Sequence, residues 1–138
     1  MLDIGAGHGA LTRHLVDAGA RVLAVELHPG RAARLRERFH GLPVTVVERD
    51  VLSMPLPRRP FRVVANPPYS ISGPLLRMLL APHSALVAAD IVLQRAVVRR
   101  AVERGSRRWV LSMGMSLPRR AFRPAPQVDS AVLVIRRR

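Results

Sequence analysis

The sequence predicts an α/β fold on a mostly parallel sheet, with an antiparallel strand at the C-terminal end. Three observations carry that expectation. Short apolar runs of strand length alternate with amphipathic stretches of helical period. Glycine- or proline-rich turns follow several of those runs. The last two apolar runs are separated by a proline-rich loop with no helical pattern, so they pair antiparallel.

The elements follow in order. Residues 1–4 form a short apolar strand that runs into Gly5-Ala-Gly-His-Gly9. Residues 10–18 read as a helix with Leu11, Leu15 and Ala18 on its inner face. Residues 21–25 are the second strand. Pro29 opens the second helix, a favoured place for proline. That helix turns Ala32, Leu35 and Phe39 inward and Arg31, Arg34, Arg36 and Arg38 outward. Strands follow at 44–47 and 62–65, a helix at 72–80, a strand at 85–93 and a helix at 94–103. The final strands are 109–117 and 131–136, and Trp109 belongs to the core. Strand–helix alternation of this kind implies right-handed crossovers in one sheet. At 138 residues the chain is expected to be one domain.

Composition narrows the partners. The net charge is +14, from 23 basic and 9 acidic residues, and every basic residue is Arg. GC-rich coding explains Arg in place of Lys, but not the excess of base over acid. Such an excess predicts a polyanionic partner, and nucleic acid is the natural one. It is densest from Arg95 to Arg123, where nine Arg accompany a single acid, Glu103, and at Arg136-Arg137-Arg138. There is no cysteine, so disulfides and thiolate metal sites are excluded. The five histidines lack metal-ligand spacing and read as surface or loop residues, so no metal is expected. With no apolar run of transmembrane length and no signal-peptide layout at "MLDIGAGHGA", the chain is expected to be soluble, cytoplasmic and monomeric.

The chemistry gathers where strands end. The glycines after the first strand let backbone pass close to a ligand beyond the strand ends. Their spacing is G-x-G-x-G, not that of the dinucleotide fingerprint. Glu26 ends the second strand, 17 residues after Gly9, where an acid can accept both hydroxyls of a ribose. Asp50 ends the third in Glu48-Arg49-Asp50, and can accept the amine of an adenine. An Asx turn or helix cap is its plainer reading. These features describe a nucleoside site without a phosphate-binding lysine, which suits S-adenosylmethionine better than a nucleoside triphosphate.

The fourth strand ends in "VANPPYSISG". Pro67 biases Asn66 to an extended backbone, and neither proline has an N–H to donate. The Asn66 side-chain oxygen and the Pro67 carbonyl form an acceptor pair for both protons of an exocyclic amine. Tyr69 can stack on the face of an extruded base.

The order "LDIGAGHG", "AVELHP", "ERDVL", "VANPPYSIS", "FRPAPQVDSAVL" resembles the rRNA adenine N6-methyltransferase family across essentially the whole chain. The Asn-Pro-Pro-Tyr version and the Arg-rich character are most like the erythromycin-resistance (Erm) large-subunit rRNA methyltransferases of actinobacterial type. The resemblance implies a Rossmann-like class I S-adenosylmethionine-dependent methyltransferase fold. It implies cofactor contacts from Gly5, Gly7, Glu26, Asp50 and Asn66. It implies catalytic roles for Asn66, Pro67 and Tyr69, and rRNA as partner through the basic surface Arg95 to Arg123 and Arg136 to Arg138. The family commonly has a segment before the first strand that covers the cofactor, and a C-terminal helical domain that grips RNA. Residues 1–138 are expected to be the catalytic domain without either. The implied function is methylation of a large-subunit adenine with macrolide-type resistance. The same motifs serve the small-subunit rRNA adenine dimethyltransferases, and an inactive RNA-binding form of the fold is the other alternative. Asn-Pro-Pro-Tyr also serves enzymes acting on DNA adenine, but Phe122-x-Pro-x-Pro-x-Val-Asp-Ser130 argues against that substrate. Phe122 either joins the core or lines the target pocket.

Overall fold

The structure, a computed structural model of the chain, describes residues 1–122 and 125–138. Arg123, in the basic run, and Pro124, in the proline motif, lie outside the described residues.

Seven strands form one sheet: β1 (Leu2–Ile4), β2 (Val22–Val25), β3 (Val44–Val47), β4 (Phe61–Ala65), β5 (Leu86–Gln94), β6 (Trp109–Leu117) and β7 (Ser130–Arg137). Four helices connect them: α1 (Ala10–Asp17), α2 (Pro29–Arg38), α3 (Ser72–Leu79) and α4 (Arg95–Arg104). The strand order is β3-β2-β1-β4-β5-β7-β6. β1 to β5 run parallel, and β7 is antiparallel to both β5 and β6. Each expected element is present, with ends displaced by at most two residues, and the fold is the α/β class that the sequence predicts.

The sheet is buried on two faces. On one, Leu75 and Leu79 of α3 and Val98 of α4 pack against Ile4, Val63, Ala89, Ile91 and Leu133. On the other, Leu35 and Phe39 pack against Val22 and Ala24. The inner face of α2 is the one its period predicts, with Ala32, Leu35 and Phe39 buried. Pro29 stands in its first turn, and the His28 ring accepts the Arg31 N–H at 3.2 Å as the N-cap.

α1 departs from expectation. Leu11 and Leu15 are only half-buried and Ala18 is exposed, while the fully buried residue is Thr12. The reason is polar. Asp3 lies inside the sheet and the Thr12 hydroxyl donates to its Oδ2 at 2.5 Å. A buried carboxylate without a donor costs more than a half-exposed leucine, so the helix rotates to bring its one hydroxyl inward.

The basic C-terminal tail belongs to the fold. Arg137 lies 4.5 Å above the Trp109 ring and donates to the carbonyls of Leu86 and Ser84. Arg136 donates to the Ala89 and Ile135 carbonyls and pairs with Asp90 at 3.1 Å. Arg138 donates to Ser106. The tail expected to meet RNA thus also braces the sheet, while its three residues stay exposed. Its guanidinium groups reach carbonyls of their own sheet first.

Gly9 holds the joint between the glycine turn and the second helix. Its φ is +89°, and a Cβ there would stand 2.6 Å from the Phe39 ring and 2.9 Å from Leu35. Left-handed strain and overpacking then act together. Gly9→Ala is expected to destabilise the chain by about 2–3 kcal/mol, read from urea unfolding, whereas Gly19→Ala, with nothing near its Cβ, should show the backbone share alone.

Candidate active site

The strand order reverses between β1 and β4, because the chain leaves β3 and returns on the far side of β1. The turns after those two strands diverge and open a crevice at the carboxyl edge of the sheet, where ligands bind in folds of this kind. A cleft of about 330 Å³ lies there, within the usual small-molecule range of about 300–1,000 Å³. Gly5, Gly7, Glu26, Asp50, Asn66 and Pro67 all line it. Those predicted site residues are thus brought to one cavity. Tyr69 lies outside its wall, on a groove between α3 and α4.

Glu26 directly follows β2 and is 6 % exposed. Its Oε1 accepts the Gly7 N–H at 2.8 Å and its Oε2 accepts the His28 N–H at 2.9 Å. A carboxylate has about four acceptor positions, so each oxygen keeps one for a hydroxyl. The two backbone donors hold the carboxylate in a single orientation and tie the glycine turn to it. Arg31 stands 4.0 Å away on the rim.

Asp50 takes the plainer role the sequence offered and also faces the cleft. Its Oδ1 accepts the Leu52 N–H at 3.0 Å and caps the short turn Val51–Ser53, while the residue also lines the cleft. Its Oδ2 has no bond among the described residues and can accept a ligand amine. Leu27, Arg31 and Arg49 complete that side. Sequence reasoning missed these three as site residues, because an exposed residue after a strand end or in the first turn of a helix carries no pattern of its own.

The fourth turn comes close to the first. A Cβ on Gly5, whose φ is +70°, would sit 3.4 Å from Pro67 Cα and 3.5 Å from the Asn66 carbonyl. The left-handed φ, more than this contact, favours glycine at Gly5. Asn66 is exposed to solvent and Pro67 is buried beneath it.

Behind the glycine turn lies the Asp3–Thr12 pair, which the sequence reading also missed. Its trace was there: an acid inside an apolar strand needs a donor, and Thr12 is the only hydroxyl in α1. Asp3 Oδ1 has no partner among the described residues. Burial pushes its carboxyl above the ordinary range, the Thr12 hydroxyl opposes that shift, and the Glu26 charge adds to it.

Comparison with known proteins places this geometry. The model of the family described as "Ribosomal RNA adenine dimethylase" matches residues 1–138. The chain belongs to this family. The mycinamicin-resistance protein MyrB of Micromonospora griseorubida is 38% identical over 146 residues, covering 100% of the chain and 47% of MyrB. Ribosomal RNA small subunit methyltransferase A of Thermosynechococcus vestitus is 36% identical over 154 residues, covering 99% of the chain and 58% of that enzyme. Among solved structures, the 23S rRNA methyltransferase ErmE superposes with a TM-score of 0.88 at 33% identity, over 99% of the chain and 60% of ErmE. The chain thus spans about half the length of the curated relatives it matches. The fold is the Rossmann-like class I methyltransferase fold expected from the resemblance, and the Erm-like affinity is present among the family's relatives.

The raised Asp3 pKa has a signed consequence. The folded state binds the Asp3 proton more tightly than the unfolded state, whose value is near 3.8. Stability therefore falls as pH rises from about 3.8 through the raised value, and is level above it. Asp3→Asn has no such proton to lose. Urea midpoints measured from pH 3 to 8 should show the wild-type chain losing stability relative to Asp3→Asn across that window.

Proposed function

We propose that the chain is the catalytic domain of an S-adenosylmethionine-dependent methyltransferase that modifies N6 of an adenine in ribosomal RNA. One observation carries the reading. The acid-lined nucleoside cleft and the Asn66-Pro67 acceptor pair meet at a single contact, Gly5 against Pro67. A methyl donor and a flat amine would thereby be held on adjoining walls.

The residues fit the cofactor. Glu26 keeps one acceptor position on each oxygen for a ribose, and Asp50 keeps Oδ2 for an adenine amine. S-adenosylmethionine, when bound, would supply an electrophilic methyl whose S–C bond breaks to release a neutral thioether, so a neutral amine nitrogen would need no prior deprotonation to take it. The chain's own work is alignment. Asn66 Oδ1 and the Pro67 carbonyl accept the two amine protons and turn the nitrogen lone pair out of conjugation with the base. As the N–C bond forms, the nitrogen becomes cationic, and the same two oxygens stabilise it. The extra proton then leaves to water, which reaches exposed Asn66. Tyr69 supplies a stacking face for the base.

Large-subunit rRNA is the substrate this reading favours, with macrolide-type resistance as the outcome. MyrB and ErmE, both alike in this region, support it. Small-subunit rRNA is the second reading, supported by the small-subunit methyltransferases at similar identity. Either substrate places the chain in the cytoplasm with ribosomes. No helix among the described residues is long and apolar enough to cross a membrane.

The RNA track is the groove between α3 and α4. Arg77, Arg100 and Arg104 line it, all exposed and without a carboxylate partner among the described residues, and Tyr69 stands on its wall. Of the other basic residues, Arg108 is held by the Pro82 carbonyl and Arg119 by Asp129.

Labelled S-adenosylmethionine incubated with protein-free large-subunit rRNA, small-subunit rRNA and DNA separates the readings. Label is expected in the large-subunit RNA and should disappear with Asn66→Ala. Glu26→Ala should instead weaken cofactor binding by about 10- to 100-fold, the worth of lost hydrogen bonds to a charged group, as read by calorimetry. Label in no nucleic acid, at saturating cofactor, would refute the enzyme reading. Replacing both Arg100 and Arg104 by Ala should lower RNA affinity and flatten its log–log salt dependence by up to about two, measured by filter binding from 50 to 200 mM salt.

A further inference from the structure

Tyr69 is held at its backbone and at its phenol. Its backbone carbonyl accepts the Ser72 hydroxyl at 2.8 Å. Its phenol oxygen is hydrogen-bonded to Ser130 Oγ, 61 residues away in the chain. Ser130 is fully buried and opens β7, where it pairs with Gln94 of β5 and Leu117 of β6. The preceding residue is fixed too, since the Arg95 N–H donates to the Asp129 carbonyl at 2.8 Å. The hydroxyl that meets Tyr69 therefore sits at the best-braced corner of the antiparallel strands.

A phenylalanine would give the same stacking face as a tyrosine, so stacking alone does not explain the phenol. A half-buried ring has two free torsions, and a base stacked on it inherits their spread. A short side chain such as serine meets the phenol only when the ring lies in one orientation. The Asn66 and Pro67 acceptors are three and two residues before Tyr69, on the same turn. Fixing the ring thus fixes the plane in which a stacked base would present its amine to those acceptors.

We propose that Ser130 is a positioning residue of the reaction: it sets the Tyr69 ring across the sheet so that the target base lies in the plane of the Asn66–Pro67 acceptors. The proposal rests on the methyltransferase reading above. It also gives the end of the proline motif a mechanical purpose, which is to lend a rigid hydroxyl to the motif that touches the base.

The chain has a single tyrosine, so ring-¹³C-tyrosine NMR reports this contact alone. Ser130→Ala is expected to move the ring signals, and Ser130→Thr, which keeps the hydroxyl, to restore them. With rRNA as substrate, Ser130→Ala should lower kcat by about 10- to 100-fold, the scale of a small misplacement, with cofactor Kd within twofold of wild type. Tyr69→Phe removes the same bond from the half-buried side and should lower kcat equally. The double variant should be no worse than either single one. Unchanged ring signals, unchanged kcat in Ser130→Ala, or losses that add in the double variant would each overturn the assignment. Should the wild-type chain methylate no nucleic acid, the methyltransferase reading fails by itself, and adenosine titration followed on the ring signals judges Ser130. A shift in wild type that Ser130→Ala loses upholds the positioning role. The same shift in both, or none in wild type, removes it.

Discussion

Everything in the site depends on one close approach, that of the Gly5 turn to the Asn66-Pro67 turn. The two follow neighbouring parallel strands, β1 and β4, on either side of the reversal in strand order. Turns that leave such a pair normally part and leave a crevice between them. Here they part only above the first residue, where Gly5 turns at a φ of +70° and Pro67 Cα lies 3.4 Å from the position of a Cβ. The crevice therefore has a floor. The glycine turn is in turn fastened to Glu26 through the Gly7 N–H, and Glu26 to the start of α2 through the His28 N–H. A shift of any one of these turns would move the nucleoside cleft and the amine acceptors relative to each other.

Two sets of arginines are used differently, and the first bears on how so basic a chain folds. Self-repulsion at a net charge of +14 destabilises a compact state. Guanidinium groups offset part of that by ending on backbone carbonyls, as Arg136, Arg137, Arg138 and Arg108 do, where their fork satisfies strand-end and loop acceptors. The arginines of α3 and α4 have no such partner among the described residues and face solvent. Three of them, Arg77, Arg100 and Arg104, line the groove on which Tyr69 stands.

The fold was legible in the sequence because its periods are clean. Apolar alternation set the strands, and the α2 pattern of Ala32, Leu35 and Phe39 set its buried face. Strand-end residues Gly5, Glu26, Asp50 and Asn66 were legible because a parallel sheet collects all its carboxyl ends on one edge, whatever the lateral order. What was not legible depended on rotation or on long-range pairing. The turn of α1 toward Asp3 sacrifices two leucines to one hydroxyl, and helical period alone favours the leucines. The capture of Tyr69 by Ser130 depends on β7 lying between β5 and β6, which the sequence did not specify. Nor did it show that Arg136 and Arg137 face carbonyls, since a terminal run of arginine looks the same in either use.

The cationic cofactor proposed for so basic a chain raises an electrostatic conflict, and the cleft bears on it. Screening limits the reach of exposed charge to about 8 Å at physiological salt, so what a ligand meets is the local balance and not the total. Of the nine acids, Glu26 and Asp50 line the cleft and Asp3 lies behind it, against Arg31 and Arg49 on the rim. Arg31 is already drawn to Glu26, and Arg49 donates to the Ser53 carbonyl. The carboxylates are oriented by neutral backbone N–H groups, which leave acceptor positions open on them. The cleft lining is thereby balanced, two carboxylates against two guanidinium groups, in a basic molecule. The proposed RNA track, with Arg77, Arg100 and Arg104, lies in the groove between α3 and α4, apart from the cleft that carries Glu26 and Asp50.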